Sequence, residues 1–241
     1  MRRLALALAV AFVLAIGFSF GSTGFASGGD FSMDFTAAAP FSYNHDTGGG
    51  NYNDRTVGKF DDIVESLEGG DFACNDVVSF LTQIKVDGGA VGNQNIRLNF
   101  EFTAHSTGQQ GVALVDNDVV GKGVSAVVNT NPPDSGSSVP NDSVATVSAE
   151  SYTGVTFVKP TLFKRSVDVT NLAAGETVVV RTDVAILCAG SKPTGNMQAR
   201  LASAQVIAPT PDPIPSGDQT VPFKHVGDIK CDPKTDPNCK P

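Results

Sequence analysis

The sequence contains no Trp and only 3 Tyr in 241 residues. Sugar-binding surfaces depend on exposed planar aromatics with a polar handle, and this chain has few to offer, although 15 Phe remain to fill an interior. Basic residues are also scarce, 17 Lys and Arg against 25 Asp and Glu, for a formal charge of −8. Apart from Arg2 and Arg3, the longest basic cluster is the pair Lys164 and Arg165. Binding a phosphate backbone requires clustered cations, so nucleic acid is not expected as a partner. The three histidines, His45, His105 and His225, are scattered, and no C-x-x-C spacing occurs, which leaves structural zinc without its usual donor grouping.

The first residues are strongly patterned. Arg2 and Arg3 precede an uncharged run from Leu4 to Phe20, and Gly24-Phe25-Ala26 then places small residues at the two positions a signal peptidase reads. An anchor helix is the alternative, because the run approaches the ~20 residues that span a bilayer. The small-residue junction favours cleavage after Ala26, and no later run approaches membrane-spanning length. Loss of Arg2 and Arg3 takes the formal charge from −8 to −10. The expected location is secreted, either extracellular or at the cell surface. The single nucleophile-elbow pattern, Gly17-Phe18-Ser19-Phe20-Gly21, lies inside this leader and leaves with it.

Four cysteines, Cys74, Cys188, Cys231 and Cys239, in a chain with an export signal favour disulfides over metal ligation. Three pairings are possible. Cys231 and Cys239 lie close together in a Pro- and Asp-rich stretch and are expected to close a small loop, which leaves Cys74 to pair with Cys188 across the body of the chain.

That body reads as successive strands. Ile96, Leu98, Phe100 and Phe102 alternate with Asn95, Arg97, Asn99 and Glu101, the period-two pattern of a sheet with one buried face. Residues 77–86 carry Val78, Phe80, Ile84 and Val86 and are followed by Asp87-Gly88-Gly89, a turn signal that predicts these two strands as antiparallel neighbours. Further strands are expected over 111–115, 123–128, 143–148, 153–158, 166–170, 177–187 and 198–207. Short strands without helix-length spacers argue for an all-β, antiparallel β-sandwich. One short helix is expected over 59–67, where Phe60, Ile63, Val64 and Leu67 share a helical stripe before Gly69-Gly70. The resulting organisation is a signal peptide over 1–26, a lead-in segment with an N-terminal strand and the short helix over 27–70, and the sandwich over 71–208. A Pro-rich linker and disulfide-closed tail follow over 209–241.

Candidate chemistry is sparse. Asp61, Asp62, Glu65, Glu68 and Asp71 surround the expected helix, and His45-Asp46 adjoins Gly48-Gly49-Gly50. Paired carboxylates could serve glycoside hydrolysis, but the lack of Trp and scarcity of Tyr weigh against it. A solvated acidic face is the preferred reading. Its alternative is an oxygen-ligated Ca2+ site, with Asp116 and Asp118 in a turn as the candidate ligands. No catalytic residue and no obligatory cofactor is expected.

The segment Asn171-Leu172-Ala173-Ala174-Gly175-Glu176-Thr177-Val178-Val179-Val180 resembles a recurring segment of immunoglobulin-like modules in prokaryotic secreted and surface proteins. In those modules N-L-x-x-G-E precedes an alternating strand. The resemblance implies an Ig-like β-sandwich used in surface structure or adhesion, with Gly175 and Glu176 making the turn and the valines entering the core. The expected function is therefore a non-enzymatic structural or adhesion protein at the cell surface or in extracellular matrix or filaments. Its partners would be other surface proteins or further copies of itself, and the alternative is a carbohydrate- or calcium-dependent binding module. The stretch from Phe31 to Tyr43, apolar at Phe31, Met33, Phe35 and Phe41, could pair with its own sheet or supply a strand to a neighbouring subunit.

Overall fold

The computed structural model of the chain describes residues 28–38, 63–90, 93–103, 112–116, 126–129, 146–153, 162–188, 197–207 and 211–230. Their strands are β1 (Phe31–Ala38), β2 (Ile63–Val64), β3 (Leu67–Glu68), β4 (Val77–Val86), β5 (Gln94–Thr103), β6 (Val112–Asp116) and β7 (Ala126–Asn129). They continue with β8 (Thr146–Thr153), β9 (Leu162–Leu172), β10 (Thr177–Cys188), β11 (Met197–Val206), β12 (Asp212–Ile214) and β13 (Gln219–Lys224). One sheet runs β2-β1-β4-β10-β6, with β7 also on β10; the other runs β3-β13-β11-β5-β9-β8, with β12 on β11. Every described pairing of strands is antiparallel except β13 with β3. The all-β antiparallel sandwich expected from the sequence is what forms.

The two sheets meet through their apolar rows. β5 sends Ile96, Leu98, Phe100 and Phe102 inward, β4 sends Val78, Phe80, Ile84 and Val86, and β10 sends Val178, Val180, Val184 and Ile186. Phe80 bridges the layers, its ring centroid 5.7 Å from Phe35 in its own sheet and 5.5 Å from Phe102 in the other. Each such Phe removed from water contributes about 1.5–3 kcal/mol. β10 is buried on both faces, because Val179 joins Leu81, Ala38 and Ile63 in a second, smaller cluster behind the first sheet. Its sequence consequently reads as a near-continuous apolar run instead of an alternation.

Four expectations change. β4 and β5 are not neighbours in one sheet: β4 pairs with β1 and β10, whereas β5 pairs with β9 and β11. Both strands have an apolar face, and those faces pack against each other across the sandwich, so Asp87-Gly88-Gly89 turns the chain from one layer to the other. The helix expected over 59–67 is replaced, across its described residues, by β2 and β3. Ile63 and Val64 pair with Ala38 and Ala37, and Leu67 pairs with Phe223. Gly69-Gly70 would have limited a helix to about two turns, too few to stand alone, while the sheets offer backbone partners and a buried site for Leu67. Between 143 and 158 the described strand is β8 alone, straddling the break placed between 148 and 153. The Pro-rich stretch, expected as a linker, contains the strand β12, whose Ile214 is buried.

Close packing fixes one glycine at the margin of the second sheet. Gly69 follows β3 in a 3-10 turn, Gly69–Asp71, and a Cβ there would lie 2.2 Å from the carbonyl oxygen of His225. The obstacle is backbone and cannot swing aside. Gly69→Ala is expected to cost about 1–3 kcal/mol in urea denaturation, whereas Gly70→Ala, with nothing within 4 Å of its added Cβ, stays near wild type.

Candidate functional site

A disulfide joins Cys74 to Cys188, with Cα atoms 5.6 Å apart and a sequence separation of 114. The β4–β10 ladder closes on the pair Val77 and Ala185. Three residues further along each strand the same register brings Cys74 opposite Cys188. The intervening chain is held by backbone bonds: Asn75 N–H donates to the Ile186 carbonyl at 2.7 Å and Ile186 N–H to the Asp76 carbonyl at 2.8 Å. Asn75 takes a left-handed conformation, φ 71°, which asparagine tolerates better than most residues. Asp76 Oδ2 accepts from Ala73 N–H at 2.6 Å. The covalent link thus extends an already formed antiparallel pair.

At the other end of β10 lies the N-L-A-A-G-E segment. Gly175 has φ 75°, the left-handed geometry that glycine adopts without a side-chain clash. The Glu176 carboxylate turns back so that Oε2 accepts from Ala173 N–H at 2.7 Å. Val178 and Val180 then enter the main core. The glycine, the acid and these valines have the roles that the resemblance implies.

Between the two ends sits a charged cluster with no exposure to solvent. Arg181 and Asp183 are both fully buried, and Arg165 of β9 is 1% exposed. Arg181 Nε lies 3.1 Å from Asp183 Oδ2, and the Ser79 hydroxyl donates to Asp183 Oδ1 at 2.5 Å. Arg165 Nη1 donates to the Asp183 carbonyl at 2.7 Å. β10 pairs with β7 through Thr182 and with β6 from Val184 onward, so Arg165 reaches the backbone where the partner strand changes. Burial drives the Asp183 carboxyl above the usual carboxylate range, opposed by the charge of Arg181, the Ser79 hydroxyl and Arg165. Ser79 is 2% exposed and its proton is committed to Asp183, an arrangement that holds strands together instead of presenting a nucleophile. Sequence reasoning passed over this cluster, although Arg181 and Asp183, two apart on a Val-rich strand, mark two charges on one buried face.

The outer face of the second sheet is polar. Arg97 grips Asp168 with two bonds of 2.6 and 2.7 Å, and Glu101 receives Lys164 at 2.7 Å and Arg200 at 3.1 Å. Exposed pairs of this kind contribute about 0–1 kcal/mol each, and they leave a hydrated surface. Phe31, Phe35, Phe72, Phe80, Phe100, Phe102 and Phe223 are all buried, so these rings serve the core and offer no sugar-stacking platform.

One glutamine closes the seam between the sheets. Gln219 of β13 donates from Nε2 to the Met33 carbonyl at 2.9 Å and the Ser216 carbonyl at 2.8 Å, and its Oε1 accepts from Phe35 N–H at 2.5 Å. Its amide takes the place of a strand on the free edge of β1. Gln219→Ala is expected to leave those two β1 groups without their partner and to lower stability by about 1–3 kcal/mol, measured as a lower urea midpoint at unchanged slope.

Of the residues singled out by sequence, Cys74 and Cys188 are brought together. Asp116 pairs through its backbone with Val184; its side chain, Asp118, Cys231, Cys239, His45 and His105 lie outside the described residues. His225 is exposed, with Nδ1 2.8 Å from Glu68 Oε2. Among the described residues no group of three His, Cys, Asp or Glu is placed to hold a metal ion, and no helix is long and apolar enough to cross a membrane.

The architecture defines a class, a two-layer antiparallel sandwich with a disulfide across adjacent strands. The sequence matches no family model and no curated protein. Among solved structures, one similar chain is the T6 backbone pilin of serotype M6 Streptococcus pyogenes, described as a modular three-domain structure decorated with variable loops and extensions. The TM-score is 0.30 and the identity 10%, over 80% of this chain and 34% of that one. This chain accordingly spans about a third of the pilin chain's length.

Proposed function

We propose that the chain is a non-enzymatic structural protein of the cell surface or extracellular matrix, an immunoglobulin-like sandwich exported by its leader and held by contacts with surface proteins or with other copies. The observation that carries this reading is the Cys74–Cys188 disulfide. Structural disulfides persist in oxidising compartments and are rare in reducing ones, which agrees with a signal-type leader. A charged cluster spent on strand-to-strand bonding and a hydrated, ion-paired outer face support a role borne by surfaces.

Immunogold labelling of intact cells with antibody to the folded protein tests it. Label on the cell envelope or matrix, together with weakened matrix or attachment in a strain lacking the gene, is the expected result. Label confined to the cytoplasm, or a deletion strain with unchanged surface and matrix, overturns the proposal.

A further inference from the structure

β1 is held on one side by a long ladder and on the other by very little. Seven register pairs, from Phe31 with Val86 to Ala37 with Phe80, join it to β4. Among the described residues its opposite edge meets β2 at Ala37 and Ala38, supplemented by the Gln219 side chain. The strand inserts Phe31, Phe35 and Ala37 into the core. Were it to leave, it would open a groove lined by Phe80, Ile84, Val86 and Phe100, shaped and registered for its own sequence.

The connection after β1 does not force the strand to stay in its own chain. Ala38 faces Ile63, a junction that a hairpin loop of two to five residues would close, yet residues 39–62 intervene. At about 3.3–3.6 Å per residue those 24 residues reach up to ~80 Å when extended, ample to place β1 in an adjacent molecule. Contacts made within a chain and between chains would be the same, so the balance is set by effective concentration. Tethering through a connection of this length sets that on the order of millimolar, a density reached when copies are crowded in a surface layer or matrix.

We propose that β1 is an exchangeable strand, and that a second copy of this chain is its partner, each copy accepting the β1 of another in the β4 groove. Exchange of an identical element is a low-cost route to association, and open-ended exchange would build a filament. The inference rests on the surface-protein reading, in which the leader is removed.

Ser32 and Lys85 are exposed register partners on β1 and β4, within the Cα range that a disulfide accepts. Full-length mature Ser32→Cys and Lys85→Cys variants carrying different tags are mixed at concentrations up to ~1 mM, oxidised mildly and separated without reductant. A heterodimer cross-linked between residues 32 and 85, increasing at least tenfold in yield from about 10 µM to about 1 mM, is expected. The doubly substituted chain, oxidised as a monomer so that the link forms internally, is expected to remain monomeric over the same range. Absence of the interchain link at every concentration, while the double variant forms its internal link, overturns the proposal. The N-terminus of the secreted protein is a separate readout: a retained leader would count against the export reading without deciding the exchange.

Discussion

Replacing Cys74 and Cys188 with Ala is expected to lower the unfolding free energy by about 4–5 kcal/mol, the chain-entropy value for closing a loop of on the order of 100 residues. For a protein of this size that corresponds to a fall in Tm on the order of 10 °C. The bridge lies across adjacent strands already in register, with Asn75, Asp76 and Ile186 bonded between it and the ladder. The native state without it should therefore keep its β4–β10 pairing, and the loss should come mainly from the freer unfolded chain. Urea denaturation of the double variant, beside wild type with and without reductant, checks this. Two agreeing midpoints, for the variant and for the reduced wild type, are expected well below that of the oxidised protein.

Asp183→Leu is expected to cost about 3–5 kcal/mol, the consequence of leaving buried Arg181 without its carboxylate. Arg181→Met should cost a similar amount by stranding Asp183. Removing both charges together, in Arg181→Met with Asp183→Leu, should recover most of the loss, because a buried ion pair gains little over well-packed apolar residues of similar volume. The double-mutant cycle reads this directly as a coupling energy of more than about 3 kcal/mol. The Arg165 bond reaches the Asp183 backbone carbonyl and is available in all three variants, so differences among them report the side-chain pair.

The sandwich was legible in the sequence because most strands carry a one-sided apolar pattern, as in β5, and because N-L-A-A-G-E needs a left-handed glycine at Gly175. Sheet membership was less so. Alternation marks which face of a strand is buried, but not whether the next strand lies beside it or across from it, and β4 and β5 are the case in point. The apolar stripe around Ile63 and Leu67 fits both a two-turn helix and two short strands, and only the waiting edges of β1 and β13 decide between them. Arg165 could not be paired with Asp183 by spacing, since that contact joins β9 of one sheet to β10 of the other. The Cys74–Cys188 pairing could be reached by elimination once Cys231 and Cys239 were taken together. Its place at the end of the β4–β10 ladder required the register.

The most direct test of an exported, disulfide-bonded surface protein is intact mass and thiol mapping of the chain purified from its own cells, separated into cytoplasmic, surface and extracellular fractions. Surface or extracellular material beginning at Ser27, with Cys74 and Cys188 linked in the same peptide map, is the predicted result. A cytoplasmic chain that retains Met1 to Ala26 and has free thiols at Cys74 and Cys188 would contradict it.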